Sequence, residues 1–258
     1  MVKPRSIAAV NVNIYRCELE TGDIMINPKY PKINSIFKRG DTGDFIPEYS
    51  EPAFEFLSNN EWVGTEKVDG TNIRITVTPL VEGEAAHYDI AGRTNDARIP
   101  DNVMLLFETE IKRKLRIDQV LGVFPKFFDM QPITFYGEAY GKGIQSAGKR
   151  YRPDGTVGFI LFDIKIGQLW LERHNLVSIA SEFGLDVAPV VFRGTLHQAI
   201  DYISTKPPSL ISKTPMPMEG LVLQPSIPLM NRRGDRIITK FKVNDLKKMD
   251  LLHAVLGI

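Results

Sequence analysis

Cysteine is all but missing from this 258-residue chain, where Cys17 stands alone. One thiol allows neither an intrachain disulfide nor a thiolate metal cluster, which excludes disulfide-stapled secreted domains and points to a reducing, intracellular (cytoplasmic) setting. Long apolar runs are missing too. Nothing approaches the roughly 18 consecutive apolar residues of a membrane helix, and the start of the chain, interrupted by Asn11 and Asn13, makes a poor signal peptide. No membrane partner is expected. The four histidines, His87, His174, His197 and His253, show no paired metal-ligand spacing and are read as structural. Internal repeats and low-complexity linkers are also absent.

Net charge is close to nil at +1, so the overall balance names no partner, but its distribution is uneven. Arg232, Arg233, Arg236, Lys240, Lys242, Lys247 and Lys248 crowd one stretch against Asp235 and Asp245. A local cationic field of that kind suits a phosphate-rich ligand. The 43% hydrophobic and 24% charged fractions are those of an ordinary soluble globular protein. The length suffices for a full core, and residues 1–258 are read as one domain.

Residues 1–27 read as a lead-in, with strand-like alternation over 8–15. Pro28, Pro31, Gly40, Gly43 and Pro47 then mark a loop-rich stretch. Strand signals take over at Trp62. Ile73, Ile75 and Val77 alternate with Arg74, Thr76 and Thr78, so one face is apolar and the other polar, and 87–91 is the partner strand. Pro100-Asp101 opens a helix whose stripe is Val103, Leu106, Phe107, Ile111 and Leu115. Further strands are predicted over 133–139, 157–166, 189–192, 221–224 and 236–243, and helices over 171–183, 195–203 and 245–255. The fold class is α+β, with antiparallel sheets flanked by helices.

The chemistry concentrates in a few segments. Thr65-Glu66-Lys67-Val68-Asp69-Gly70-Thr71-Asn72 places a lysine where a strand runs into a glycine turn. A lysine with a free pKa of about 10.4 is a poor nucleophile at neutral pH, and neighbouring positive charge helps it lose its proton. Lys240 and Lys242, in Thr239-Lys240-Phe241-Lys242-Val243, are two apart on a predicted strand and so face one side, within reach of one phosphate. Glu138 lies among glycines in Phe135-Tyr136-Gly137-Glu138-Ala139-Tyr140-Gly141-Lys142-Gly143-Ile144-Gln145, where backbone and ligand can approach closely. Glu219 opens Glu219-Gly220-Leu221-Val222-Leu223-Gln224-Pro225, and Arg93 follows the lysine motif by one hairpin. An arginine fork binds phosphate or ribose at two points.

These segments, in this order, resemble the ATP-dependent RNA ligases of the nick-sealing (RNA ligase 2) type, which include the RNA-editing ligases. Those belong to the covalent nucleotidyltransferase superfamily. The resemblance runs from about Pro28 to Lys248 through five motifs. It implies a nucleotidyltransferase domain in which Lys67 becomes adenylated. Lys240 and Lys242 would contact the α-phosphate, and Glu138 would engage the ribose and support the metal. Glu219 would help place that metal, Mg²⁺ or Mn²⁺, which needs only one or two carboxylates besides phosphate oxygens. Phe162, in Phe159-Ile160-Leu161-Phe162-Asp163-Ile164, would stack on adenine, with Phe159 as the other aromatic of the run. Glu66, Asp69, Asn72 and Arg93 would complete the nucleotide site. Gln224 departs from the pattern, since many relatives carry a lysine there. The implied partners are RNA ends, in a nicked duplex or single strand, served by a monomer. A small DNA ligase and a capping guanylyltransferase are the rival enzymes. Both usually add an oligonucleotide-binding barrel after the last lysine motif, where this sequence has only 243–258, read as one helix. The rival without catalysis is a nucleic-acid-binding protein of the same fold; the presence of Lys67, Glu138, Glu219, Lys240 and Lys242 speaks against it.

Overall fold

The computed structural model describes residues 28–78, 87–124 and 131–249. Its strands are β1 (Asn34–Ser35), β2 (Phe37–Arg39), β3 (Phe45–Tyr49), β4 (Trp62–Lys67), β5 (Thr71–Thr78) and β6 (His87–Ala91), followed by β7 (Ile133–Gly141) and β8 (Val157–Ile166). The last four are β9 (Leu169–Trp170), β10 (Val190–Gly194), β11 (Gly220–Pro225) and β12 (Thr239–Lys242). Helices are α1 (Pro52–Phe56), α2 (Asp101–Leu106), α3 (Lys112–Lys114), α4 (Ile117–Val123), α5 (Gly148–Tyr151), α6 (Arg173–Glu182) and α7 (Leu196–Ser204). One sheet has the order β1-β12-β11-β4-β10, with β1 parallel to β12 and the other pairs antiparallel. The second, β6-β5-β7-β8-β9, is antiparallel throughout. The expected α+β class with antiparallel sheets holds.

Period-two burial explains how each sheet acquires a core. Trp62, Gly64 and Glu66 of β4 turn inward while Val63, Thr65 and Lys67 face the other way. Trp62, Leu221, Leu223 and Phe241 pack on the apolar face of α7, formed by Leu196, Ala199, Ile200 and Ile203. The Thr195–Gln198 capping box starts that helix, with Gln198 N–H donating to Thr195 Oγ1 at 3.2 Å and Thr195 N–H to Gln198 Oε1 at 2.9 Å. The second sheet packs Ile73, Ile75, Phe135 and Leu161 with Val103, Phe107, Ile111 and Leu176 in one core. Each such buried side chain contributes about 1.5–3 kcal/mol.

The polar face of β5, polar as expected, is also buried: Arg74 is fully buried, donating from Nε to Gly92 O at 2.8 Å and from a terminal nitrogen to Asn95 Oδ1 at 2.9 Å. The Thr76 hydroxyl is paired with that of Thr134 at 3.0 Å. Several expectations are corrected. The stretch from Pro28 to Pro47 is not only loop, because β1, β2 and the start of β3 lie in it. The long helix after Pro100 contains a π-helical turn, Phe107–Ile111, between α2 and α3. The strand expected over 236–243 is confined to Thr239–Lys242, and a 3₁₀ helix, Val243–Lys248, opens the segment expected as an α-helix from 245. The expected strand at 8–15, Cys17, His253 and the rest of that last helix lie outside the described residues. Among the described residues, no helix is long and apolar enough to cross a membrane.

Candidate active site

Strand register brings the lysines together. Lys67 of β4 stands opposite Gly220 of β11, which stands opposite Lys242 of β12, so the three form one row across the first sheet. Directly opposed residues share a face. Gly220 is required between the two lysines, because a Cβ there would lie 2.2 Å from the Phe241 carbonyl oxygen. Glu219, one residue before it, accepts from Lys67 Nζ at 2.6 Å and from Lys242 Nζ at 2.7 Å. Two residues back, the next row is Thr65, Val222 and Lys240. Lys240 has its pKa lowered by burial and by the nearby charges of Lys242, Lys67 and Arg93. Lys242 behaves oppositely. Burial works against its charge, but the Glu219 carboxylate outweighs this and raises its pKa. Of the two expected cations beside Lys67, Lys242 is thus ion-paired with the carboxylate that also holds Lys67.

Acidic groups crowd the other side of Lys67. Glu138 on β7 has its carboxyl pushed up to about 7 by burial, with Lys67 opposing and Glu219 and Asp69 reinforcing the rise. Asp69 is raised by burial and by Glu219. The turn holding Asp69 is fixed by Gly70, where a Cβ would meet the Ala139 carbonyl oxygen at 2.3 Å and Glu138 Cγ at 2.8 Å. Asp69 N–H donates to the Tyr151 hydroxyl at 3.2 Å. The Gln145 amide donates to Gly70 O at 3.2 Å from a residue with φ of 49°. Asn72, opposite Glu138 in the β5–β7 register, has its Oδ1 buried with no hydrogen-bond partner among the described residues.

A cavity of about 560 Å³ opens between the two sheets, lined by Glu66, Lys67, Asn72, Arg93, Glu138, Phe162 and Lys240 among others. It therefore gathers seven of the ten candidate residues. Asp69, Glu219 and Lys242 lie outside its lining and reach the site through Lys67 and one another. The Glu66 side chain is also tied into the fold. Its carboxylate accepts from the Ser209 hydroxyl and from Leu210 N–H at 2.8 Å, which orders the 209–212 loop. Arg93 is exposed at the cavity mouth, and Gln224 lies in the lining.

The aromatic side carries a feature that strand alternation hides. The β7–β8 register shifts between Tyr136 and Gly137, pairing them with Asp163 and Leu161 and leaving Phe162 as the extra residue of a bulge. Phe159 and Leu161 go to the core before the bulge, and Ile164 and Ile166 after it. Ile160, Phe162 and Asp163 all line the cavity. Of the two aromatic candidates, Phe162 faces the cavity and Phe159 is core. Sequence reasoning missed Tyr30, Asp163 and Trp170, which line the same cavity. It assigned Arg236 to the cationic stretch, but Arg236 is paired with Asp163 and only 10% exposed. Arg39 likewise pairs with Asp245 at 2.8 Å.

Clustered lysines that share one carboxylate beside a slot with one aromatic side make a setting that suits a phosphate-bearing ligand. The RNA ligase family model matches residues 60–242, and the chain belongs to that family. The fold is similar to solved structures of the Naegleria gruberi RNA ligase. An apo point mutant gives 17% identity and a TM-score of 0.55 over 89% of this chain and 61% of that one. A point mutant with ATP and Mn gives 18% and 0.53 over 84% and 63%, and the form with PPi gives 19% and 0.52 over 86% and 64%. The chain thus spans about three fifths of those proteins' length. No curated protein matches the sequence.

Proposed function

We propose that this chain is an ATP-dependent RNA ligase that joins 5′-phosphate and 3′-hydroxyl ends through a lysyl-AMP and an adenylated strand. The observation that carries the reading is the Glu219 carboxylate shared between Lys67 and Lys242 beside a cavity of nucleotide size. The Naegleria gruberi structures that hold ATP or AMP with Mn support the same donor and a divalent metal.

In the first step Lys67 Nζ attacks the α-phosphorus. The ammonium proton passes first to the Glu219 carboxylate that Nζ already touches, which frees the lone pair; an N–P bond then forms as the bond to pyrophosphate breaks. Nζ must leave the Glu219 carboxylate to form that bond. Lys240, whose charge is disfavoured by burial and by its cationic neighbours, is relieved by phosphate oxygens and stabilises the charge that develops on them. Phe162 and Ile160 offer the base a flat apolar side. AMP then passes to a 5′-phosphate, and attack by a 3′-hydroxyl on that activated end expels it.

The residues fit a divalent cation in part. Among the described residues, no group of three or more His, Cys, Asp or Glu side chains is placed to hold a metal. Yet the Glu219 carboxylate helps raise the pKa of both Glu138 and Asp69, and Asp69 that of Glu138, an excess of negative charge that a cation relieves. Glu138 and Glu219 would hold it together with phosphate oxygens, and it would supply charge neutralisation at phosphorus.

The substrate reading is RNA ends met by a monomer in a reducing compartment. Exposed cations at Arg93, Lys142, Lys149, Arg150, Arg232, Lys247 and Lys248 are available for phosphates. Incubation with labelled ATP or GTP, followed by denaturing electrophoresis and peptide mapping, tests the reading. A label from ATP on the Lys67 peptide is expected; none, or one located elsewhere, ends it.

A further inference from the structure

We infer that Arg236 is a positioning residue for the nucleobase slot, acting through Asp163 and Tyr30 to hold the Phe162 ring. The inference rests on the ligase reading above and adds to it a group that touches no reacting atom.

Arg236 is aimed by its own turn. Asn231 Oδ1 accepts from Arg233 N–H at 2.9 Å and Asp235 N–H at 3.0 Å, Asn231 N–H donates to Asp235 O at 2.8 Å, and Gly234 takes φ of +80°. This brings Arg236 opposite Met230 in a β-bridge. The turn joins β11 to β12 of the first sheet, yet the Arg236 side chain reaches the second. Its two terminal nitrogens donate to Asp163 Oδ1 at 3.0 Å and Oδ2 at 2.8 Å, a fork matched to a carboxylate. Its guanidinium carbon lies 3.7 Å from the Trp170 ring centroid. The Tyr30 hydroxyl completes the network by donating to Asp163 Oδ2 at 2.6 Å and accepting from Arg236 at 3.1 Å.

The consequence for Phe162 follows from the bulge. Phe162 and Asp163 are its adjacent residues, so fixing the Asp163 carboxylate fixes the backbone from which Phe162 projects. Tyr30 acts on the ring itself, since the two centroids are 5.0 Å apart at an interplanar angle of 76°, edge to face. An ion pair this buried is weak evidence for stability, because desolvation offsets much of its attraction. It does set one geometry across a cavity whose two sides belong to different sheets. Without it, Phe162 keeps its place in the sequence but is no longer held to one rotamer.

The test is a double-mutant cycle on Lys67 adenylation, reading KM for ATP and kcat separately in wild type, Arg236→Gln, Phe162→Ala and the double variant. Arg236→Gln is expected to raise KM by about tenfold, within the range of coupled neighbours, and to add nothing in the Phe162→Ala background. Independent, multiplying effects overturn the inference. Should Arg236→Gln fold poorly because Asp163 is left unpaired, the paired change Arg236→Gln with Asp163→Asn removes both charges, and Tyr30→Phe removes only the hydroxyl. Both are expected to raise KM with kcat little changed. A lowered Tm with unchanged KM in these variants shows a merely structural tie and overturns the proposal. Absence of any adduct on wild-type Lys67 overturns the ligase reading, and this inference with it.

Discussion

Lys67 and Lys242 share one carboxylate, with Glu219 2.6 Å from the first and 2.7 Å from the second. Lys67, the proposed nucleophile, is therefore held in an ion-paired triad, while Lys240 stands beside it with its charge disfavoured by burial and like-charged neighbours. The two lysines of the last motif thus play different parts. On the proposed reading Lys240 would meet the phosphate, and Lys242 would orient the carboxylate that holds Lys67.

Lys240→Ala should slow Lys67 adenylation about a hundredfold, the effect of removing one charged interaction worth about 3 kcal/mol in a water-poor site. Lys242→Ala should slow it comparably, because Glu219 is then free to hold Lys67 more tightly. Single-turnover rates at saturating ATP check both. An unchanged rate in either variant makes that lysine a bystander.

Phe162→Ala should weaken ATP use far more than Phe162→Tyr or Phe162→Trp, because stacking needs a flat ring and is worth about 1–3 kcal/mol. Phe159→Ala should instead lower Tm with little change in KM, since that ring is 7% exposed and lies in the core. If Phe162→Trp loses as much as Phe162→Ala, the ring is packing and not a base platform.

The contrast between these two phenylalanines shows how much of the site the sequence carries. Lys67, Glu138, Lys240 and Phe162 are legible because their chemistry sits in short segments whose neighbours are fixed by strand alternation and glycine turns. Asp163 is not legible as a cavity residue. Strict alternation puts it opposite Phe162, and only the bulge turns both the same way. Arg236 and Tyr30 are 206 residues apart in sequence, and no local pattern joins them. The same limit applies to β1, β2 and β3, where proline and glycine suggest loop while pairing with distant β12 makes part of the segment strand.

Stability should fall as pH rises through the titration of Glu138. Its pKa is raised from 4.5 to about 7 in the folded protein, so the folded state binds the proton more tightly than the unfolded chain. That contribution is fully present below 4.5 and is lost as pH rises through about 7. Glu138→Gln, neutral throughout, should therefore match wild type near pH 4.5 and have the higher Tm near pH 8. Added Mg²⁺ should narrow the gap at pH 8 by stabilising wild type alone. Parallel Tm profiles for the two proteins would show that Glu138 titrates normally.

Sealing should depend on salt more steeply than adenylation does. Adenylation engages one nucleotide in a cavity whose cations are partly buried, whereas strand binding must use exposed ones. With Lys242 and Arg236 committed inward and Lys240 lining the cavity, the basic stretch keeps Arg232, Arg233, Lys247 and Lys248 exposed, with Lys142, Lys149 and Arg150 on the loop after β7. Each phosphate that a cation neutralises steepens the fall of log affinity against log salt by about 0.7–0.9, because its counterion is released. Replacing Lys247 and Lys248 by alanine should flatten the slope for RNA while leaving Lys67 adenylation intact. Because the 2′-hydroxyl distinguishes RNA from DNA at a site, sealing should also favour a ribonucleotide at the 3′-hydroxyl end, with looser demands on the 5′-phosphate strand. Nicked duplexes differing only in that terminal sugar, assayed across a salt series, measure both effects. Equal or faster sealing of the all-DNA nick would move the substrate assignment from RNA to DNA ends.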